Sequence, residues 1–342
     1  MGASQRPAQP EPVEGHAPTE PNALTRPIAF LLLALAIAFP LSLLAGRVWI
    51  DPFASPVPNA FIILTELRLP RAVLAVVLGA GLGAAGAAMQ GYLRNPLADP
   101  GLFGIAPGAA LGAVLSFWTG LAGTQWLLPL FALLGAGSAM ALLSLIAGRS
   151  GSALLFTLAG MMIASLAGAM MSLAISLSPT PFAMSEIVTW LMGALSDRSW
   201  NDVVIAAPLT LAGIAVLLRA GSSLDAMTLG EQAARSLGVD PRALQWLMIG
   251  GIGLTVGASV AAAGIIGFVG LIVPHFLRRF TDARPSQLIV PSALAGALLV
   301  LIADALCRVL PLQSELRLGI ALSLLGAPFF LALLLRLRRE LV

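Results

Sequence analysis

Long runs of apolar and small residues without charged side chains most limit how this 342-residue chain can fold. One run begins after Arg71 and continues to Met89, and similar runs recur up to the C-terminus. About 20 such residues in a helix are enough to cross the hydrocarbon core of a bilayer. A transmembrane barrel would instead show short segments of alternating polarity. With 58% hydrophobic and 10% charged residues, the sequence predicts an all-α, polytopic membrane protein.

The first 26 residues differ from the rest of the chain. They are rich in Pro, Glu, Gln and Ala and have almost no large apolar residue, so they cannot form a core. The acidic residues Glu11, Glu14 and Glu20 also fit poorly with a signal peptide, which places basic residues directly before its apolar stretch. We predict a disordered tail at residues 1–26 and one membrane domain at residues 27–342.

The apolar runs and their breakers predict about ten transmembrane helices. Their approximate positions are residues 27–46, 67–90, 102–120, 126–147, 152–177, 201–219, 242–263, 265–280, 287–308 and 319–336. The eighth helix is expected to be short or broken, because Gly264, Gly267, Gly270 and Pro274 interrupt it. Residues 179–199 are typical of a short amphipathic helix at the membrane surface.

The distribution of basic residues predicts the orientation of these helices. The chain has no lysine, and with the N-terminus inside, 13 of its 19 arginines face the cytoplasm. Both termini are then cytoplasmic. The six arginines left outside are Arg47, Arg68, Arg71, Arg198, Arg308 and Arg317. The sequence pI of about 10.3 reflects this bias, and no basic patch with interleaved aromatic residues suggests nucleic acid binding.

The longest cytoplasmic connection spans residues 220–242. Thr228 followed by Glu231 has the spacing of a capping box, and Gly238 is placed to end the helix that it would start. One interpretation is a solvated connector, the usual fate of such loops. The other is a rigid lever that inserts into a soluble partner through Ala233, Ala234 and Leu237.

Several motifs in a fixed order extend over most of the chain. They are Leu-Pro-Arg at 69–71, Met-Gln at 89–90, Asn-Pro-Leu-Ala-Asp-Pro-Gly at 95–101, Ala-Arg-Ser-Leu-Gly at 234–238, Gly-Phe-Val-Gly-Leu-Ile-Val-Pro-His at 267–275 and Leu-Gly-Ala-Pro-Phe-Phe at 325–330. Together they resemble the permease subunits of type II ABC importers, which take up iron–siderophore complexes, haem and vitamin B12. The resemblance implies a homodimer of ten-span subunits in the bacterial inner membrane. It also implies two cytoplasmic ATPase subunits and a periplasmic binding protein as partners.

The residues agree with this resemblance on the energy source. A chain without lysine cannot contain the Gly-x-x-x-x-Gly-Lys loop that holds nucleotide phosphates. We therefore expect that this chain is no enzyme, binds no cofactor, and relies on ATP and Mg²⁺ bound to the partner ATPase. No metal site is predicted either, because His16 is the only other histidine beside His275, and Cys307 is the single cysteine.

The resemblance implies three functional regions, of which the first is an outer docking surface. Arg68, Arg71 and Arg308 match arginines that receive glutamates of the binding protein. Arginine suits this role because its planar fork can hold a carboxylate through two hydrogen bonds. The alternatives are that arginines at helix ends reach for lipid headgroups, and that Arg308 forms a helical ion pair with Asp304.

The other two regions are cytoplasmic. Asn95, Pro96 and Leu97 match the turn that closes the inner end of the pathway; the alternative is an ordinary tight turn. The coupling helix that contacts the ATPase matches Glu231, Ala233, Ala234, Arg235, Ser236, Leu237 and Gly238. ATP-driven closure of the ATPase subunits would then be transmitted as a rigid-body motion of the helices.

The sequence thus predicts the membrane-spanning subunit of an ATP-driven importer for an iron chelate or cobalamin. An intramembrane enzyme would need clustered catalytic groups within its helices. An ion-coupled secondary transporter would need acids in the membrane, and only Asp304 and Glu186 come close. The sequence does not identify the cargo among these compounds. Arg317 stands where the family commonly has a proline, so the substrate cannot be inferred from the family in detail.

Overall fold

The computed structural model describes residues 25–50, 59–121, 126–148, 152–281 and 284–340. Most of the predicted tail at residues 1–26 lies outside these ranges, and its last two residues begin the first helix. All regular secondary structure in the described ranges is helical, as the apolar runs predicted.

Thirteen helices follow one another along the described chain. They are α1 Thr25–Leu44, α2 Leu69–Leu93, α3 Ile105–Trp118, α4 Leu127–Ala147, α5 Ala153–Ser176, α6 Pro181–Leu191, α7 Trp200–Arg219, α8 Gly221–Met227, α9 Glu231–Ser236, α10 Pro241–Ala263, α11 Val269–Leu277, α12 Pro285–Val309 and α13 Leu318–Glu340. A short turn, Ala60–Ile62, and a π-helical segment, Ile63–Arg68, lead directly into α2 and extend that span to 34 residues.

Eight of the described helices are long and apolar enough to cross a membrane. Two shorter apolar helices, α3 and α11, occupy the third and eighth predicted positions, so the count of about ten is confirmed. The break before α11 occurs where it was expected. Gly264 ends α10 with a φ of 73°, a left-handed conformation that glycine adopts without strain. Pro274 lies inside α11 and does not end it.

The predicted amphipathic segment is helical only in its first half. Helix α6 ends at Leu191, and the chain then turns at Gly193, whose φ is 70°. A Cβ on Gly193 would clash with the carbonyl oxygen of Ile265, so the close approach of the two backbones requires glycine here. The segment that follows ends at Ser199, the start of a capping box with Asp202 on α7.

Helices α2 and α10 form the centre of the bundle. Their most apolar windows are each 78% buried, compared with 11% for α1, which lies at the periphery. Helix α2 packs most extensively against α12, where a Cβ on Gly79 would clash with the backbone of Gly296 and one on Gly83 with that of Ser292. Small residues let two helix backbones approach closely, which is a common basis of helix association in membranes.

Candidate functional site

A cavity of about 570 Å³ lies where the N-terminal end of α2 meets the C-terminal end of α12. All six arginines that the orientation rule leaves outside line it. They are Arg47, Arg68, Arg71, Arg198, Arg308 and Arg317. The acidic side chains of Asp197 and Glu315 also face the cavity. The structure therefore joins the three predicted docking arginines and adds three that the docking hypothesis did not include.

Asp304 is the buried counter-ion of this arginine group. Its side chain is fully buried on α12 and receives hydrogen bonds from both Nε (3.0 Å) and Nη2 (2.9 Å) of Arg71. Arg308, one turn further along α12, places its Nε 3.2 Å from Oδ2 of Asp304. One carboxylate thus partly neutralises two arginines, and the helical ion pair between Asp304 and Arg308 that the sequence allowed is present.

The remaining contacts of Arg71 and Arg308 differ. Arg71 also forms an ion pair with Glu315 at 3.0 Å, so both partners of its guanidinium are carboxylates. Arg308 donates one hydrogen bond from Nη1 to the carbonyl oxygen of Ala45 at 3.3 Å. Its Nη2 is buried and has no hydrogen-bond partner among the described residues. Arg308 also contributes to the lining of the cavity.

Arg68 stabilises the end of the first helix. Its guanidinium donates hydrogen bonds of 2.8 Å each to the carbonyl oxygens of Leu43, Leu44 and Val48. The last carbonyls of a helix lack partners within it, and a cation placed there also interacts favourably with the helix dipole. Arg68 therefore has a structural role, and its docking role stays a prediction.

Arg198 and Arg317 approach each other at the same cavity. Nη1 of Arg317 donates a hydrogen bond of 3.0 Å to the hydroxyl of Ser196. Burial lowers the pKa of Arg198, and the nearby positive charge of Arg317 lowers it further, although Asp202 and Asp197 oppose the shift. Sequence reasoning found Arg198 only through its predicted location outside, and Arg317 also because it stands where the family commonly has a proline.

The turn at Asn95 lies at the opposite end of α2. Oδ1 of Asn95 accepts a hydrogen bond of 2.9 Å from the backbone N–H of Leu97, and Arg94 before it has a φ of 51°. The predicted tight turn is therefore present, with Pro96 inside it. Asn95 is exposed and Leu97 half-buried, and both line a cavity of about 310 Å³.

Asp99, which the sequence analysis did not select, extends this turn. Its Oδ1 accepts a hydrogen bond of 2.7 Å from the N–H of Gly101, and burial raises the pKa of its carboxyl. With Leu97 it lines an apolar cavity of about 360 Å³, whose wall includes Phe268 and Ser259. The turn therefore contacts the broken segment between α10 and α11. The motif around Asn95 already contained Asp99, and that was the available signal.

The loop at residues 220–242 contains two helices, α8 and α9, where one was predicted. The predicted capping box is wrong, because Thr228 donates its hydroxyl hydrogen to the carbonyl of Asp225 and Gly230 precedes α9. Gly238 ends α9 as expected, with a φ of 87°. Glu231 forms an ion pair of 2.7 Å with Arg235 on the surface of α9.

The face that α9 exposes differs from the predicted one. Ala234 is fully buried against its own chain, so it cannot insert into a partner as proposed from the sequence. Leu237 is 64% exposed, and Leu229 just before α9 is 67% exposed. Ala233 is half-buried, between buried Ala234 and the exposed leucines. The hydrophobic face available to a partner therefore consists mainly of the two leucines.

Comparison with known proteins identifies the family. The model of the FecCD transport family matches residues 31–336. This chain belongs to the FecCD transport family. The chain is therefore a permease subunit of an ABC importer, no enzyme itself, with the ATPase on a separate subunit.

Individual relatives show how far the similarity extends. The vitamin B12 import permease BtuC of Serratia proteamaculans is 37% identical over 319 residues, 92% of this chain and 93% of that protein. An uncharacterised ABC transporter permease of Bacillus subtilis, YvrB, is 39% identical over 81% of this chain and 80% of its own. A solved metal-chelate type ABC transporter in an inward-facing conformation superimposes with a TM-score of 0.84 at 32% identity, and covers 91% of this chain and 99% of its own.

Proposed function

We propose that this FecCD-family permease imports a bulky chelate, cobalamin or an iron complex such as a siderophore or haem, as a homodimer. The observation that carries the proposal is the 37% identity to a vitamin B12 permease over almost the full length of both chains. A metal-chelate transporter with the same fold supports the iron alternative. Two cytoplasmic ATPase subunits, which bind ATP and Mg²⁺, and a periplasmic binding protein complete the complex.

The proposed orientation places the arginine cavity on the periplasmic side and both termini in the cytoplasm. Arg68, Arg71 and Arg308 then lie where the binding protein docks. Arg47, Arg198 and Arg317 enlarge this positive surface. Electrostatic complementarity of this kind accelerates the encounter of two proteins and selects the correct partner.

On the cytoplasmic side, we assign the gate to Asn95, Pro96 and Leu97 and the ATPase contact to the loop around α9. The gate proposal is supported by the hydrogen bond within the turn and by the two cavities that the turn lines. The proposed ATPase contact consists of Glu231, Ala233, Arg235, Ser236, Leu237 and Gly238, with Leu229 added. The peripheral helix α1, with exposed Phe30 and Leu33, is proposed to contact membrane lipid.

Transport by reconstituted protein tests the proposed function. In proteoliposomes with the ATPase subunits, the binding protein and ATP, the permease should accumulate one of three labelled cargoes: cyanocobalamin, a ferric siderophore or haem. Competition among the three identifies the cargo. The permease alone should accumulate none, because nothing in it couples nucleotide hydrolysis to transport. Accumulation by the permease alone would contradict the proposal.

Docking is best tested at the rim of the arginine cavity. Arg71→Glu would place a second carboxylate beside buried Asp304, so loss of folding would confuse that result. We expect Arg47→Glu combined with Arg317→Glu to lower the affinity of the permease for the binding protein at least about tenfold, because two attractive charges become repulsive. Surface plasmon resonance at two salt concentrations measures the effect.

A matched control for docking is Arg242→Glu, an exposed arginine on the loop at the other end of the molecule. It changes the net charge by the same amount per residue but should leave the affinity unchanged. An unchanged affinity in the double rim variant would show that the binding protein does not use this cavity.

A further inference from the structure

One aspartate of the cytoplasmic loop is bonded directly to the beginning of a distant helix. On α8, Asp225 accepts hydrogen bonds from both the N–H of Ser286 at 2.8 Å and its hydroxyl at 2.5 Å. Ser286 lies in the first turn of α12, 61 residues further along the chain. Both carboxylate oxygens are therefore used to join two separate elements.

This contact replaces a cap that α12 lacks. The first N–H groups of a helix have no partner within it, and an acidic side chain there also interacts favourably with the helix dipole. The side chain of Arg284, the residue before α12, forms no hydrogen bond that caps the helix. Asp225 supplies one from α8, and Gly221 lets α8 approach closely, since a Cβ there would lie 3.1 Å from Cβ of Ser286.

The other end of α12 carries the arginine cavity. From Ser286 to Asp304 the helix rises about 27 Å at 1.5 Å per residue. Along this length it packs against α2 through close glycine contacts, and Asp304 then binds Arg71 of α2. Closely packed helices move as rigid units, so a shift of the first turn of α12 displaces the cavity as well.

We propose that Asp225 is a positioning residue that transmits movement of the cytoplasmic loop to α12 and thereby to the arginine cavity. The inference rests on the proposed function, in which the ATPase moves this loop. When the loop shifts, the two hydrogen bonds of Asp225 carry the first turn of α12 with it. Without these two hydrogen bonds, α8 moves relative to the first turn of α12 and does not displace it.

The test compares a thiol at the cavity in two nucleotide states. Buried Cys307 is replaced by Ser, and Ser314→Cys introduces one exposed thiol on the cavity wall. Maleimide labelling is measured for the complex with its ATPase subunits in nanodiscs, without nucleotide and with ATP and vanadate. In this background we expect the labelling rate to differ between the states.

Asp225→Ala is expected to abolish this difference while assembly and ATP hydrolysis persist. Asp225→Asn should restore it, since the amide can keep both contacts with Ser286: its oxygen accepts from the N–H, and its NH2 group donates to the hydroxyl oxygen. Asp240→Ala is the matched control: Asp240 caps α10 by accepting a hydrogen bond of 2.9 Å from the N–H of Arg242, two residues away, and bonds to no second element in the part of the chain that the structure describes. It should keep the nucleotide-dependent difference.

The outcomes separate the two proposals. If Asp225→Ala keeps the full nucleotide-dependent difference, the positioning role is wrong while the proposed function stands. If the parent complex shows no difference but accumulates cargo in proteoliposomes, the positioning role is wrong while the proposed function stands; if it also accumulates no cargo, the proposed function is contradicted as well. Should Asp225→Ala fail to fold, Ser286→Ala removes only the hydroxyl bond, and an undiminished difference in that variant would also overturn the inference.

Discussion

Asp304→Ala is expected to lower the free energy of unfolding by about 3–5 kcal/mol, the range for breaking a buried ion pair by removing one partner. The physical reason is that Arg71 and Arg308 share this carboxylate. Without it, buried Arg308 loses its carboxylate partner, and the guanidinium of Arg71, which is 12% exposed, keeps only its ion pair with Glu315. Thermal unfolding of the purified protein in detergent measures the loss as a lower melting temperature.

Glu315→Gln is the matched control for this prediction. Glu315 binds the same guanidinium of Arg71 but is 31% exposed, so water can replace it. Its loss is expected to cost roughly 1 kcal/mol or less, as for other solvent-accessible ion pairs. Equal melting temperatures for Asp304→Ala and Glu315→Gln would mean that the buried pair contributes no more than the accessible one.

Leu229→Asp combined with Leu237→Asp is expected to weaken binding of the ATPase subunit at least about 30-fold, which corresponds to about 2 kcal/mol in total, or about 1 kcal/mol for each apolar side chain lost from the interface. Both side chains are about two-thirds exposed on a short, internally bonded loop. The proposed ATPase contact would cover both leucines. Co-purification and titration of the labelled ATPase subunit measure the affinity.

The control for this variant is Leu312→Asp, which changes a 49% exposed leucine between α12 and α13. It introduces one negative charge, where the double variant introduces two, at the opposite end of the molecule and should leave ATPase binding unchanged. If the double variant binds the ATPase subunit as tightly as the parent protein, the contact lies elsewhere on the cytoplasmic surface.

Much of the fold followed from local properties of the chain. The apolar runs predicted the helical class and about ten spans, because the length of an apolar run is itself the requirement for crossing a bilayer. The break at Gly264 was also predictable, because glycine and proline change the backbone conformation at their own positions. The capping pattern at Thr228 failed because Gly230 precedes α9 instead.

The candidate sites could be predicted only in part. Motif matches selected Arg68, Arg71 and Arg308, and the structure places all three in one cavity. They did not reveal that Arg68 ends α1 by binding its carbonyl groups. Nor could they reveal that Ala234 faces inward, because a six-residue helix has too few positions to define a buried face.

The sequence by itself determined the class of the protein, the approximate positions of its helices and its family. Only the tertiary structure decided which polar groups meet, since the pairs Arg71 with Asp304 and Asp225 with Ser286 join residues 233 and 61 positions apart. Hydropathy and helical periodicity describe neighbours along the chain. Contacts between distant helices depend on how their surfaces pack, and no local pattern records that.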